Sequence, residues 1–306
     1  MVEIRPADSD EEIQAFLDLV ASLYPDLALT LDEIRAIQAA IPDNQYFLAN
    51  ENDAVVGGGV VVSEPRLRDR NGAVAWLLSD VPARGRGVGS ALYGAISEWA
   101  REHGLELLES TVREGEPENL AWAERRGFAE ERRESRLELQ LGEIDPPDVA
   151  APEGVEIVAW ADRPELARGM YEVACESYPD VPGFEDDAME LFEDWLAHDL
   201  RGPGDKPEAT FVALVRDEVV GYAKFSLTKA QPTVAYHDLT GVKRAWRGKG
   251  IAAALKRAEI RWAKEAGYEK LWSMNDERNA PIRKLNQRHG YRLSPGRIFV
   301  LGPLAP

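Results

Sequence analysis

The chain has 306 residues, 44% of them hydrophobic and 29% charged, and its formal net charge of −18 disfavours nucleic acid as a partner. The lone Cys175 excludes an internal disulfide, no Cys/His cluster has the spacing of a zinc site, and no apolar stretch is long enough to cross a bilayer. We therefore expect a cytoplasmic protein, monomeric or homodimeric, without a signal peptide, a membrane contact or a bound metal.

Both halves of the chain carry related sequences. Residues 84–128 align without a gap with residues 247–291, and the Tyr-Pro-Asp at 24–26 matches the Tyr-Pro-Asp at 178–180. The proline-rich stretch 142–154 has no hydrophobic periodicity, which is typical of a linker. The sequence therefore predicts a duplication, with a first domain over 1–141, a linker over 142–154 and a second domain over 155–306.

Each half is predicted to contain the same elements in the same order. A short strand (3–5; 155–159) precedes two helices (10–23 and 30–40; 163–177 and 186–200). Two strands joined by a tight polar turn follow, and a fourth strand (73–79; 234–242) runs into a long amphipathic helix. A strand, a helix and a last strand complete each half. This order indicates an α+β fold with a mixed sheet, not a doubly wound one.

A glycine-rich motif, R-x-x-G-x-[GA], lies between the fourth strand and the long helix in both halves. It comprises Arg84, Gly85, Arg86, Gly87, Val88 and Gly89 in the first half, and Arg247, Gly248, Lys249, Gly250, Ile251 and Ala252 in the second. The spacing fits neither a Rossmann fingerprint nor a Walker A loop. Small residues at a helix N-terminus let backbone N–H groups face a pyrophosphate, although such a turn can also bind nothing. Its occurrence in two matching contexts favours a phosphate ligand.

These motifs and this order of elements resemble those of the GNAT superfamily of acyl-CoA-dependent N-acyltransferases. In that family R-x-x-G-x-[GA] is the loop that binds the CoA pyrophosphate. The second half adds Thr-Gly-Val at 240–242 and a segment at 275–291 that is similar to the family's fifth strand and fourth helix. The resemblance covers both halves. It implies two tandem GNAT-like domains, each a mixed, splayed sheet flanked by about four helices, with acetyl-CoA as the cofactor.

The resemblance also implies where the cofactor's pantetheine arm lies, since the family's sheet splays after the fourth strand. The backbone expected to pair with this arm belongs to Leu239, Thr240, Gly241 and Val242. The Val242 N–H would polarise the thioester carbonyl. Asn275 and Asn279 would bond the cofactor from the opposite side, or would instead form a helix N-cap and turn.

The attacking amine must lose a proton, so a base is expected on or near the fourth strand. Alternation predicts that Tyr236, Asp238 and Thr240 share one face and that His237 lies on the other. Asp238, acting directly or through water, is the preferred base, followed by Tyr236 and then His237. The alternative for Asp238 is a solvated or hydrogen-bonded residue at a strand end. The strand at 73–79 has no ionisable side chain, which predicts a non-catalytic first domain.

Many family members carry a tyrosine, four residues before the glycine of the closing Gly-Phe, that protonates the leaving thiolate. This chain has Asn286 there in the second half and Ala123 in the first. An asparagine can donate a hydrogen bond to sulfur but is no proton source. The thiolate could therefore leave without an acid, and Tyr178 is a further candidate.

The acceptor is predicted to be a small molecule with a primary amine. Acidic residues near the acceptor region favour a cationic acceptor, or else form a solvated face; they are Glu176, Asp180, Glu185, Asp186 and Asp187. The sequence thus predicts an acetyl-CoA-dependent N-acetyltransferase that works by direct attack in a ternary complex. The alternative is a catalytically inactive CoA-sensing or scaffold protein.

Overall fold

The computed structural model of the chain describes residues 2–182 and 189–306. It divides into two compact units. The first unit comprises Met1–Arg133 and Pro295–Pro306, and the second comprises Glu134–Ser294. The domains predicted over 1–141 and 155–306 differ from these units in the last strand of each half.

Each half folds into the predicted elements. The first half contains β1 (Glu3–Pro6), α1 (Asp10–Leu23), α2 (Leu31–Ala40), β2 (Asn44–Glu51), β3 (Ala54–Val62), β4 (Gly72–Ser79), α3 (Val88–Glu102), β5 (Leu107–Arg113), α4 (Pro117–Glu124) and β6 (Ala129–Gln140). The second half contains β7 (Glu156–Ala159), α5 (Ala167–Ser177), α6 (Phe192–Asp199), β8 (Thr210–Val215), β9 (Glu218–Ser226), β10 (Val234–Val242), α7 (Ile251–Glu265), β11 (Lys270–Asp276), α8 (Ala280–Arg288) and β12 (Arg292–Pro303). The α+β fold is thereby confirmed.

Two helices of the first half begin at capping boxes. Ser9 and Glu12 form a capping box at the start of α1, and Thr30 and Glu33 form one at α2, each contributing about 1 kcal/mol. The helix predicted over 163–177 starts later, at Ala167, because a 3₁₀ turn precedes it. Of the helix predicted over 186–200, residues 186–188 lie outside the described part of the chain. No helix among the described residues is long and apolar enough to cross a membrane.

The first unit is a mixed sheet with the order β1-β2-β3-β4-β5-β12, in which only β4 and β5 run parallel. Alternate residues of β2 face different helices, as the period of two requires. Tyr46 and Leu48 pack with α1, while Phe47 and Ala49 pack with α3. The sheet is therefore covered by helices on both faces.

The second unit has the order β7-β8-β9-β10-β11-β6, and β10 and β11 form its parallel pair. One face packs on α5 and α6, burying Val212, Tyr222 and Leu239. The other face packs on α7, which buries Val242 against Leu255. These two faces define the surroundings of each β10 side chain.

Each unit is completed by the last strand of the other half of the sequence. In the first unit β5 pairs with β12, from Leu107 opposite Pro303 to Arg113 opposite Arg297. In the second unit β11 pairs with residues 134–140 of β6. The two halves have thus exchanged their final strands.

Both parallel strand pairs separate after three residues. Backbone pairing between β10 and β11 ends at Tyr236 opposite Trp272, although the strands continue to Val242 and Asp276. In the first unit β4 and β5 separate beyond Val74 opposite Glu109. The predicted splay is therefore present in both units, and it leaves a gap between the diverging strands.

Candidate active site

The glycine-rich loops of the two units have the same backbone conformation. Gly248 and Gly250 have φ angles of +75° and +87°, and Gly85 and Gly87 have +76° and +90°. This left-handed region is open to glycine and costly for most other residues. Gly250 is the N-cap of the 15-residue helix α7, and Gly87 is the N-cap of the 15-residue helix α3. Both loops can therefore direct the positive end of a helix towards an anion.

The cationic side chains beside the loop of the second unit already have partners. Arg247 donates from Nε to the Val242 carbonyl oxygen at 2.9 Å and pairs through Nη1 with Asp180 at 2.6 Å. Arg244 also pairs with Asp180, at 2.9 Å, and its hydrogen bond helps to lower the pKa of that carboxyl. The Lys249 ammonium lies 4.2 Å from the centre of the Trp246 ring. An anion at this loop would compete with Asp180 for Arg247.

A β-bulge in β10 contains Asp238. The register of β10 against β9 shifts between His237 and Leu239, so Asp238 is an extra residue. The equivalent pair, β3 and β4, has no such shift. Asp238 thus has no counterpart in the first unit. Bulges commonly redirect a side chain next to a functional site.

The bulge also corrects the predicted alternation along β10. Leu239 packs with α5 and α6, and Gly241 faces Ser177 of α5. Thr240, between them, consequently faces the opposite side of the sheet from Asp238, so the prediction that these two share a face is wrong. The extra residue shifts the alternation of side chains by one position for the rest of β10. The sequence pattern of the strand alone could not show this shift.

A buried lysine holds Asp238 in place. The Lys224 ammonium lies 2.8 Å from Asp238 Oδ2, 3.2 Å from Asp205 Oδ1 and 3.5 Å from Asp199 Oδ1, and its side chain is only 3% exposed. Burial alone would lower the pKa of Lys224, but the three carboxylates outweigh it and raise that pKa. The lysine is therefore charged, and the cluster retains an excess of carboxylates.

Asp199 and Tyr178 extend this cluster. The Tyr178 hydroxyl donates to Asp199 Oδ1 at 3.0 Å. Burial raises the pKa of Asp199 to about 6, against the opposing effect of Lys224. Burial also raises the pKa of Tyr178 well above its usual value. Tyr178 therefore keeps its proton near neutral pH.

Sequence reasoning missed Lys224. The strand pairings make Val60 its counterpart in the first unit, since Val60 lies opposite Trp76 as Lys224 lies opposite Leu239. Aligning the two polar turns before β3 and β9 would have matched this lysine with a valine. The signal available in the sequence was therefore a charged residue, Lys224, at a position where the first half has the apolar Val60.

The other two candidate bases lie in different surroundings. Tyr236 packs its ring against Trp272, with 4.5 Å between the ring centres. His237 lies on the opposite face, as predicted, where its Nδ1 is 3.2 Å from Glu259 and its Nε2 is hydrogen-bonded to the Tyr291 hydroxyl. Burial and the nearby Lys256 lower the pKa of His237 to about 4. It is neutral and enclosed against α7.

The backbone of β10 directs an N–H group into the gap. Lys243 donates its N–H to the Val220 carbonyl on β9 at 2.9 Å. Because successive peptide groups of a strand point to opposite sides, the Val242 N–H points away from β9. It faces the side on which β10 and β11 have separated.

Asparagines line the β11 and α8 side of the gap. Asn275 accepts a hydrogen bond of 3.0 Å from the amide of Asn286, which is fully buried. Asn286 Oδ1 is buried and has no partner among the described residues. Asn279 is the N-cap residue of α8, but its side chain makes no capping hydrogen bond. Its amide is therefore not committed to the helix end.

The gap of the first unit is crossed by its own side chains. Tyr24, which packs near Trp76 of β4, donates to Glu116 at 3.3 Å, and Glu116 also accepts from Asn119 at 2.6 Å. Arg113, at the end of β5, lies over the Tyr24 ring and pairs with Asp26 at 2.8 Å. Through Tyr24, this network connects Trp76 of β4 with Arg113 of β5, beyond the point at which the two strands separate.

The acidic residues predicted near the acceptor separate into two groups. Glu176 accepts from the backbone N–H of Arg244 at 2.9 Å, and Asp180 is paired with two arginines. Glu185, Asp186 and Asp187 lie outside the described residues. The acidic side chains beside Asp238 are instead Asp199 and Asp205, which the sequence did not indicate.

Comparisons with known proteins agree with this architecture. Mycothiol acetyltransferase of Pseudarthrobacter chlorophenolicus is 25% identical over 275 residues, covering 82% of this chain and 75% of that protein. The GCN5-related N-acetyltransferase from Sphaerobacter thermophilus has a TM-score of 0.77 at 20% identity, covering 100% of this chain and 96% of that one. A tandem GNAT protein from the clavulanic acid biosynthesis pathway has the same TM-score at 22% identity, and the match covers 100% of this chain and 99% of that one.

The family model described as "Acetyltransferase (GNAT) family" matches residues 13–128 and 167–291, one segment in each half. Each matched segment includes a glycine-rich loop and the splayed strands beside it. The chain therefore belongs to the GNAT acetyltransferase family, as an acyltransferase with two tandem copies of the fold.

Proposed function

We propose that the second unit transfers an acetyl group from acetyl-CoA to the primary amine of a small-molecule acceptor, by direct attack in a ternary complex. The observation that carries the proposal is Asp238, a carboxylate inserted by a bulge at the edge of the gap and held by Lys224. The acetyltransferase relative that is named for mycothiol supports a small-molecule acceptor.

The residues on both sides of the gap suit acetyl-CoA, which supplies an activated thioester when bound. The loop from Arg247 to Ala252 would hold the pyrophosphate through its N–H groups and the α7 N-terminus. The edge of β10 from Leu239 to Val242 would bond the pantetheine arm, with Asn275 and Asn279 on the other side. The unpartnered Asn286 Oδ1 fits a polar ligand on that side, and Asn286 would act by orienting Asn275.

Two groups on β10 would perform the chemistry. Asp238 would accept the proton of the attacking amine, directly or through water, while Lys224 fixes its orientation. The Val242 N–H would donate to the thioester oxygen as negative charge develops there, which contributes a few kcal/mol in comparable sites. Since a thiol titrates near pH 8.5, the thiolate can leave without a dedicated acid. Tyr236 would border the acceptor rather than serve as the base.

The first unit would bind the cofactor without catalysis. Its loop, Arg84 to Gly89, keeps the backbone conformation of the second loop. Its β4 strand has no extra residue and no carboxylate, and its gap is crossed by the Tyr24–Glu116 and Arg113–Asp26 contacts. We therefore propose that only the second unit catalyses acetyl transfer.

The acceptor would be an amine that is cationic when free. Three carboxylates around one ammonium leave the region beside Asp238 with excess negative charge, which attracts a protonated amine. The test is a panel of amines, amino sugars, thiols and peptides, scored by thiol release from acetyl-CoA. Turnover of an amine supports the proposal. Binding of acetyl-CoA without turnover of any member would favour a CoA-sensing or scaffold protein instead.

A further inference from the structure

Ser177, the last residue of α5, has a buried hydroxyl without a partner. The residue is only 7% exposed, and its Oγ makes no hydrogen bond to any described residue. It does not bond back to the carbonyl four residues earlier, which is the usual solution for serine in a helix. A buried hydroxyl left unpaired reduces stability. Its presence therefore needs an explanation other than folding.

The hydroxyl lies directly against the backbone of β10. A Cβ added to Gly241 would be 2.8 Å from Ser177 Oγ and 3.2 Å from Ser177 Cβ. Only a glycine at 241 lets the hydroxyl approach the strand this closely. The next peptide N–H along the chain is that of Val242, which points into the gap.

The first unit shows that the fold does not require this pair. The Tyr-Pro-Asp match makes Leu23 the counterpart of Ser177, and the alignment of β4 with β10 makes Leu78 the counterpart of Gly241. Leu78 is buried in a cluster that also contains Leu23. Where the first unit has two leucines in one apolar cluster, the second unit has a hydroxyl and a glycine. The difference occurs beside Asp238, in the unit proposed to be catalytic.

We propose that the Ser177 hydroxyl is a second hydrogen-bond donor to the acyl carbonyl oxygen, beside the Val242 N–H. This role rests on the proposed function. As the amine nitrogen forms its bond to the carbonyl carbon, an electron pair moves onto the oxygen, which Ser177 and Val242 stabilise. The pair returns as the carbon–sulfur bond breaks, the thiolate leaves with the electrons of that bond, and the amine proton goes to Asp238. Ser177 keeps its own proton throughout.

The test compares Ser177→Ala with Ser97→Ala. Ser97 is also fully buried, but its Oγ accepts a hydrogen bond from the Ala305 N–H in the first unit. We expect Ser177→Ala to lower kcat by about a hundredfold, the usual scale for such a donor, with affinity for acetyl-CoA little changed and no loss of thermal stability. Ser97→Ala should show the reverse, with lower stability and normal kcat.

A spectroscopic measurement isolates the hydrogen bond itself. Infrared difference spectra of acetyl-CoA labelled with ¹³C at the carbonyl should show a higher stretching frequency when bound to Ser177→Ala than to the wild type. The conservative Ser177→Thr should restore the wild-type frequency. An unchanged frequency with normal kcat would overturn the proposal, as would a loss of activity that only accompanies a loss of stability. Wild-type protein that does not bind acetyl-CoA would instead refute the proposed function, and this role with it.

Discussion

Asp238, the extra residue of the β10 bulge, pairs with Lys224 across 2.8 Å, and neither residue has a charged counterpart in the first unit. A buried ion pair seldom stabilises a fold more than apolar side chains of similar volume. The first unit illustrates this, because the apolar Val60 occupies the position equivalent to that of Lys224. The charged pair is therefore best explained by the chemistry of the second unit.

The carboxylate cluster predicts a dependence of stability on pH. Burial raises the pKa of Asp199 to about 6 in the folded state from an ordinary value of 3.8. A raised carboxyl pKa stabilises the fold below pH 4, and that contribution is lost as the pH rises through 6. Asp199→Asn removes this titration but keeps an oxygen for the Tyr178 hydroxyl. As the pH rises from 4 to 7, the free energy of unfolding of the variant should therefore increase by roughly 2–3 kcal/mol relative to that of the wild type.

Urea unfolding at several pH values measures this difference. Ser97→Ala, which removes a buried hydroxyl but no titratable group, is the control and should give a nearly constant difference over the same range. A constant difference for Asp199→Asn as well would show that Asp199 titrates normally.

The two glycine-rich loops are predicted to differ in importance. Gly250→Glu places a carboxylate where the pyrophosphate would approach, and like charges in contact should weaken CoA binding to the second unit by roughly a hundredfold. Turnover should be abolished. Gly87→Glu, the same change in the first unit, should leave turnover largely intact.

The backbone requirement is separated from the charge by Gly250→Asn, because asparagine tolerates the left-handed conformation of this residue, at φ +87°. Calorimetric titration with CoA should show stronger binding to Gly250→Asn than to Gly250→Glu. A folded Gly250→Glu protein with unchanged CoA affinity would make the loop assignment wrong.

The exchanged strand β12 makes a close contact inside the first unit. A Cβ added to Gly302 would lie 2.4 Å from the ring of Phe128. Gly302→Ala should therefore destabilise the protein by about 1–3 kcal/mol, the usual cost of overpacking. Gly94→Ala in α3 is the matched control, because a Cβ at that position meets nothing within 4 Å. Since glycine destabilises a helix interior relative to alanine, this variant should be more stable than the wild type by about 0.5–1 kcal/mol. Equal unfolding midpoints for both variants would argue against the packing of β12 on Phe128.

Local signals in the sequence sufficed for much of this structure. The helix predicted over 10–23 is α1 itself, and Gly85, Gly87, Gly248 and Gly250 adopt the conformation for which glycine is favoured. The sequence could not reveal the strand exchange, since β6 and β12 have the same local pattern whichever unit they complete. The bulge at Asp238 depends on pairing with β9, and the role of Lys224 depends on residues brought together by the fold. The chemistry of the site therefore lies mainly in the tertiary contacts.

The pH–rate profile of Asp238→Asn tests the central claim most directly. The substitution keeps the shape of the side chain but removes its capacity to accept the amine proton. We expect the rate at neutral pH to fall by roughly a hundredfold or more, with CoA affinity unchanged and partial recovery at high pH, where the free amine is already deprotonated. A rate close to that of the wild type at neutral pH would contradict the assignment of Asp238 as the base.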